Sequence, residues 1–163
     1  LWVNLPAKDK KTPARYQHLA KDNITVVPLA DDAGHARIIA GRFGNTDGAA
    51  ETFTELNVWD IVLNGGASAD LDVPAGHNLM LVVLRGEVRI NGGQSVQASQ
   101  MATFERESGS VKVEAVGGEA KILLLSGVPI DEPVVGYGPF VMNTEAEIAE
   151  VMNEFRSGKF GAV

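Results

Sequence analysis

The chain has 163 residues, a mass of 17.3 kDa and no cysteine. That is one domain, or one with an appendage, long enough to bury ~70% of its unfolded surface. Apolar residues at 45% and charged ones at 21% exclude a disordered chain. The absence of thiols excludes disulfides, cysteine catalysis and zinc-finger sites.

The net charge of −7 is unevenly spread. Residues 1–21 hold five basic side chains (Lys8, Lys10, Lys11, Arg15, Lys21) against Asp9 alone, whereas between Arg42 and Arg85 there are six carboxylates and no base. Such a surface repels phosphate backbones, so no direct nucleic-acid partner is expected. The basic stretch reads as an arm laid against an acidic body, or equally as a solvated loop. No apolar run approaches the roughly 18 residues of a membrane span and no signal-peptide pattern is visible, which predicts no membrane partner and a soluble, cytoplasmic protein.

The chain opens on Leu1-Trp2-Val3-Asn4-Leu5, apolar, strand-like and without an initiator Met. A free terminus is normally polar and frayed, so this opening predicts truncation: a strand or crossover belonging to something upstream. Short β segments follow: 24–27, 36–41 and 58–63, with a turn at 31–34 and a loop over 43–48 rich in residues that tolerate positive φ. Leu79-Met80-Leu81-Val82-Val83-Leu84 is apolar at every position, which predicts burial on both faces. Gly86 breaks it, and alternating segments at 87–90 and 111–115 and an apolar run at 122–125 complete the pattern. Short strands separated by Gly turns at about 8–12-residue spacing predict an antiparallel sandwich or barrel. The two Trp and six Phe are expected in its core. The C-terminus reads as a helix: Thr144 and Glu147 make a capping box, and Ile148, Val151, Met152 and Phe155 make one apolar stripe ahead of Gly158.

Candidate chemistry is sparse. His18, His35 and His77 are dispersed, with no metal-binding spacing, and each reads as an ordinary surface or structural histidine. No nucleophile elbow surrounds the serines of Ser108-Gly109-Ser110, and Gly117-Gly118 precedes a strand, which makes no phosphate cradle. Glu105 and Glu107 share one face of a strand and could do acid–base work, but on so acidic a chain they read as a solvated face.

Three stretches carry a family resemblance. Residues 1–6 with 12–17 resemble the segment joining the two halves of pirins. Residues 72–78 running into 82–88 resemble the central turn and strand of the pirin C-terminal domain. The run Gly127-Val128-Pro129-Ile130-Asp131-Glu132-Pro133 through Val134-Val135-Gly136-Tyr137-Gly138-Pro139-Phe140 to Thr144, with the helix after it, is the most specific. The resemblance implies a mainly β protein, a cupin-type antiparallel β-barrel (jelly roll) with a C-terminal α-helix, and it begins at the family's midpoint. It divides the chain into 1–21 (inter-domain strand or linker), 22–135 (C-terminal cupin barrel) and 136–163 (C-terminal loop and helix).

Pirins carry iron or another divalent metal on three His and one Glu of an N-terminal barrel, and some act like quercetin 2,3-dioxygenases. Every one of those ligand positions precedes Leu1. Anchoring the first general cupin motif on Gly86 puts its Glu at Leu79 and its two His at Val73 and Ala75, or at Asp72 and Pro74. The second motif, started at Ser99, puts its His at Ser110 and its Asn at Glu114. The resemblance therefore implies no catalytic, cofactor or metal residue in this chain. Its expected partner is the N-terminal barrel of its parent, and its role is to wall the cleft of a quercetin 2,3-dioxygenase-like enzyme. Two other readings stand beside this one. One is an interaction module, docking another protein through the acidic face of residues 44–72, in the manner of a transcription coregulator. The other is an independent metal enzyme gathering His77, Asp72 and Glu114. Apolar surfaces at 1–5 and along the helix stripe further predict a homodimer.

Overall fold

A computed structural model describes residues 1–106 and 109–160. The protein is mainly β, with antiparallel sheets and one C-terminal helix. Its contacts divide it into two compact units, Tyr16–Pro129 and Leu1–Arg15 with Ile130–Val163.

Among the described residues the larger unit holds twelve strands: β1 (Thr25–Pro28), β2 (Gly34–Ala40), β3 (Arg42–Phe43), β4 (Thr46–Asp47), β5 (Leu56–Leu63), β6 (Ser68–Val73), β7 (Asn78–Arg85), β8 (Glu87–Ile90), β9 (Gln94–Gln97), β10 (Met101–Phe104), β11 (Gly109–Ala115) and β12 (Ala120–Gly127). One sheet runs β1-β2-β5-β12-β7-β10 and a second β6-β11-β8-β9. The side chains that alternate inward from both sheets form one core: Ile38, Trp59, Ile61, Leu63, Leu71, Leu81, Val83, Val88, Val113, Ile122 and Leu124 are almost wholly excluded from solvent. Each such side chain contributes about 1.5–3 kcal/mol through burial. Phe43 meets Trp59 edge-to-face at 4.9 Å, the favoured quadrupolar geometry. Gly86 separates β7 from β8 at φ 77°, where a Cβ would strike the backbone of Glu119 and Ala120.

Several local expectations are corrected. The expected loop at 43–48 contains a small hairpin, β3 on β4, turning at Gly44 with φ 56°. β7 is not buried on both faces: Leu79, Leu81 and Val83 point inward, while Met80 and Val82 are half-buried and Leu84 is exposed. β6, β9 and β10 were not anticipated, because each carries one fully buried residue or none (Leu71, Val96) and so lacks an apolar repeat. The aromatic residues are not uniformly core. Trp59 is, but Trp2, Phe53, Phe155 and Phe160 are exposed.

The smaller unit pairs β13 (Val135–Tyr137) with β14 (Phe140–Met142) and packs α1 (Glu145–Arg156) beside them. The helix starts as its sequence predicts. Glu147 N–H donates to the Thr144 hydroxyl, and the Glu147 carboxylate accepts from Thr144 N–H. It ends in a Schellman turn: Gly158 N–H reaches Phe155 O, Lys159 N–H reaches Glu154 O, and Gly158 has φ 75°. Of the stripe, Ile148 and Val151 are buried and Met152 half-buried, whereas Phe155 stays exposed with its ring 5.8 Å from that of Phe140.

Within this unit the basic segment is an anchored arm. Lys10 Nζ donates to Asn4 Oδ1 and Val141 O, Ala7 N–H to Glu132, and Lys11 Nζ to Glu150 at 2.6 Å. That last hydrogen bond raises the Lys11 ammonium above its ordinary value and lowers the Glu150 carboxyl below its own. The apolar opening forms no strand, and Leu1, Trp2 and Val3 are exposed.

Candidate functional site

The inward residues of β7, β12 and β5 stack in cross-strand rows. Val83, Ile122 and Ile61 make one row, and Leu81, Leu124 and Trp59 make the next. The third row is Leu79, Ser126 and Asn57, and there the interior turns polar. His77, just before β7, joins this layer, and Asn57, Ser126 and His77 are all buried.

These polar groups are joined in a chain. Asn57 Oδ1 accepts the Arg42 N–H at 2.9 Å, and Asn57 Nδ2 donates to Ser126 Oγ at 2.9 Å. The serine hydroxyl lies 3.4 Å from His77 Nδ1. A proton on Nε2, the nitrogen that faces the Glu55 carboxylate, leaves Nδ1 to accept from the Ser126 hydroxyl. Nε2 faces the exposed carboxylate of Glu55 at 3.8 Å, an ion-pair distance beyond a direct hydrogen bond.

His77 also lines a cavity of about 200 Å³ shared with Val73, Pro74, Leu79, Phe104, Glu105 and Ser110. Of the residues matched by motif spacing to ligand positions, Val73, Pro74, Leu79 and Ser110 line this cavity, whereas Ala75, Asp72 and Glu114 do not, and Ser110 is exposed opposite Asp72. Valine and leucine offer no donor atom, and a single imidazole does not make a site, so this mouth does not fit a metal of the kind the resemblance implies. A wider recess of about 690 Å³ opens nearby, lined among others by Arg42, Asp47, Glu55, Asn57 and Asp72.

The gathering of His77, Asp72 and Glu114 is corrected by the sheet register. Asp72 pairs with Ser110, four positions along β11 from Glu114, which puts the carboxylates about 13 Å apart on the outward face. Glu114 is engaged by Arg89 at 3.3 Å, while His77 points inward. His18 is exposed, and His35 is half-buried on β2 opposite Val62 and Pro28. Among the described residues no three of His, Asp and Glu come together as a metal would require. Glu107 and Ser108 lie outside the described residues. In the acidic stretch 44–72, Asp47, Glu51, Glu55, Asp70 and Asp72 are exposed, but Asp60 is buried and bound by Arg37 and Lys121. The Asn57–Ser126–His77 relay is the feature that sequence reasoning missed. Its signal was the inward parity of Asn57 with Trp59 and Ile61, and of Ser126 with Leu124 and Ile122.

Comparison with known proteins agrees with this architecture. Residues 58–161 match the model of the pirin C-terminal cupin domain. A Pseudomonas aeruginosa protein provisionally named a quercetin 2,3-dioxygenase is 44% identical over 160 residues, covering 98% of this chain and 55% of that protein. A pirin-like protein of Caulobacter vibrioides is 35% identical over 162 residues, covering 98% of this chain and 57% of its own length. The crystal structure of a quercetin 2,3-dioxygenase from Acinetobacter baumannii superposes with a TM-score of 0.92 at 43% identity, covering 99% of this chain and 56% of that one. The chain thus spans about half the length of the curated relatives it matches. With that domain model running from the core strand β5 to the end of the terminal helix, the chain belongs to the pirin family and carries its C-terminal cupin domain.

Proposed function

We propose that this chain is the non-catalytic half of a two-barrel pirin, a rigid wall for a metal-dependent, quercetin 2,3-dioxygenase-like site held by the remainder of the protein. The observation that carries the reading is the mouth of the barrel. Val73 and Leu79, at ligand-equivalent positions, carry no donor atom, and His77 is the one imidazole that lines it. A cupin mouth in which no three of His, Asp and Glu gather among the described residues has no donor set to hold a metal. What such a barrel does supply is a stiff, well-packed surface beside another site. The similarity to proteins named for quercetin 2,3-dioxygenase activity supports that assignment for the whole protein. The test is quercetin consumption in air with ferrous iron added. The chain alone gives none, and turnover by the isolated chain would refute the assignment.

A second reading rests on the exposed carboxylates Asp47, Glu55 and Asp72 around the wide recess. In it the recess docks a basic protein partner. Binding of a lysine-rich peptide that weakens steeply between low and physiological salt supports it, and salt-independent or absent binding counts against it.

A further inference from the structure

The small cavity at the barrel mouth is apolar over most of its wall. Leu79 and Phe104, paired across β7 and β10, line it together with Val73, Pro74 and Val111. Its other side chains, those of Asn91, Glu105 and Ser110, belong to exposed residues. The exception is His77, whose side chain is polar and only 4% exposed. Nδ1 of that ring is engaged by the Ser126 hydroxyl, and Nε2 makes no hydrogen bond among the described residues. The nearest charged group is Glu55, with Oε1 3.8 Å from Nε2. This pair stands where two cavities adjoin: His77 lines the smaller, Glu55 the wider, and Val73 and Pro74 line both.

A donor and an acceptor at that separation are too far apart for a hydrogen bond and close enough to share one atom. An oxygen about 2.8 Å from each closes the gap. With the imidazole proton on Nε2, the shared group must accept from the nitrogen and donate to the carboxylate. A hydroxyl does both. An ammonium only donates and leaves Nε2–H unpaired, whereas a carboxylate or phosphate only accepts and meets Glu55 as a like charge. The wider recess adds to the exclusion of anions. Asp47, Glu55 and Asp72 stand there against Arg42, which already donates to Gly44 O and pairs with Asp47. Water would serve the polar end alone, because Leu79, Phe104 and Val111 offer it no partner. A volume of about 200 Å³ is also ample for one six-membered ring, since about 150 Å³ of apolar cavity holds benzene.

We propose that the mouth of this barrel binds a small, neutral ring bearing a hydroxyl group. The ring lies against Leu79 and Phe104, and the hydroxyl is shared between His77 Nε2 and the Glu55 carboxylate. This goes beyond the scaffold role and stands without it. An apolar cavity with a few convergent polar groups is the usual form of a small-molecule site.

The test titrates phenol into the chain and follows the ring protons of its three histidines by NMR. The His77 signals shift saturably, with a dissociation constant on the order of 1 mM, while those of the exposed His18 stay in place. Toluene, which lacks the hydroxyl, binds about tenfold more weakly. Benzoate and benzylammonium bind more weakly than phenol as well. Glu55→Ala changes an exposed side chain and keeps the circular dichroism of the wild type, yet weakens phenol about tenfold. Asp22→Ala, an exposed carboxylate lining neither cavity, leaves phenol binding unchanged. Toluene binding as tightly as phenol, or a Glu55→Ala chain that binds phenol like wild type, overturns the shared hydroxyl. Tighter binding of benzoate or benzylammonium assigns the mouth to an ion and overturns the proposal too. No saturable shift of His77 with phenol overturns the site itself.

Discussion

The two deeper rows of the barrel interior and the row at its mouth are built on the same three strands, yet they answer to different physics. Leu81, Leu124 and Trp59, like Val83, Ile122 and Ile61, interdigitate without a polar side-chain contact apart from the indole of Trp59, whose N–H has no partner among the described residues. Two residues further along β12 and β5, Ser126 and Asn57 replace apolar side chains and enlist His77. In a cupin-like barrel the mouth is where chemistry would be placed. Here Asn57, Ser126 and His77 Nδ1 are joined to one another, and no second imidazole or carboxylate completes a ligand set with His77 among the described residues. The difference teaches that a polar layer inside a barrel is not in itself a metal site: it must gather several donor side chains around one point.

Breaking the apolar rows gives the largest effect. Leu81→Ala, fully buried, should lower stability by about 2–5 kcal/mol through lost transfer energy and a residual cavity. Urea denaturation measures it, and the midpoint should fall at constant slope. Breaking the mouth is milder. Ser126→Ala strands Asn57 Nδ2 and His77 Nδ1 and should cost about 1–3 kcal/mol. It sharpens the comparison through a second readout: the nitrogen-15 shifts of His77 should show the Nε2–H form in the wild type and a mixture of tautomers in the variant. An unchanged tautomer would mean that Ser126 does not set it.

Outside the barrel interior the effects shrink further. Thr144→Ala removes the N-cap of α1 and should cost about 1 kcal/mol, seen as faster hydrogen exchange in the first turn of that helix. Lys11→Ala should have the smallest effect, because both partners of the Lys11–Glu150 pair are exposed. Its pH dependence has a defined sign. The lowered Glu150 contributes stability above the ordinary carboxylate range and loses it as pH falls through its depressed value. The raised Lys11 contributes below the ordinary amine range and loses it as pH rises through its elevated value. Melting curves of wild type and variant should therefore differ only between those limits, and less at high salt.

Much of this fold was legible in the sequence where one residue pattern dominates. The apolar runs of β7 and β12, the Gly86 break, and the Thr144–Glu147 capping box each announce their element. The strands that were illegible bury little: β6 hides only Leu71 and β9 only Val96, so their pairing is set by the neighbours β11 and β8 rather than by a repeat of their own. At the mouth, motif spacing brought Val73, Leu79 and Ser110 to one cavity. The relay stayed hidden because Asn57 and Ser126 lie 69 residues apart, each at one end of an apolar run, where the hydrophobic signal of its strand stops. Similarly, Asp60 reads in sequence as one more acid of an acidic stretch, and only the register with Arg37 and its diagonal approach to Lys121 make it a buried cluster.

The central claim is that this barrel is a scaffold without a metal of its own, and metal stoichiometry tests it most directly. The purified chain would be incubated with ferrous, cupric or zinc ions, desalted, and its bound metal measured by elemental mass spectrometry. The account predicts far less than one equivalent of any of them, unchanged by His77→Ala. One tightly held metal per chain, lost in His77→Ala, would contradict it.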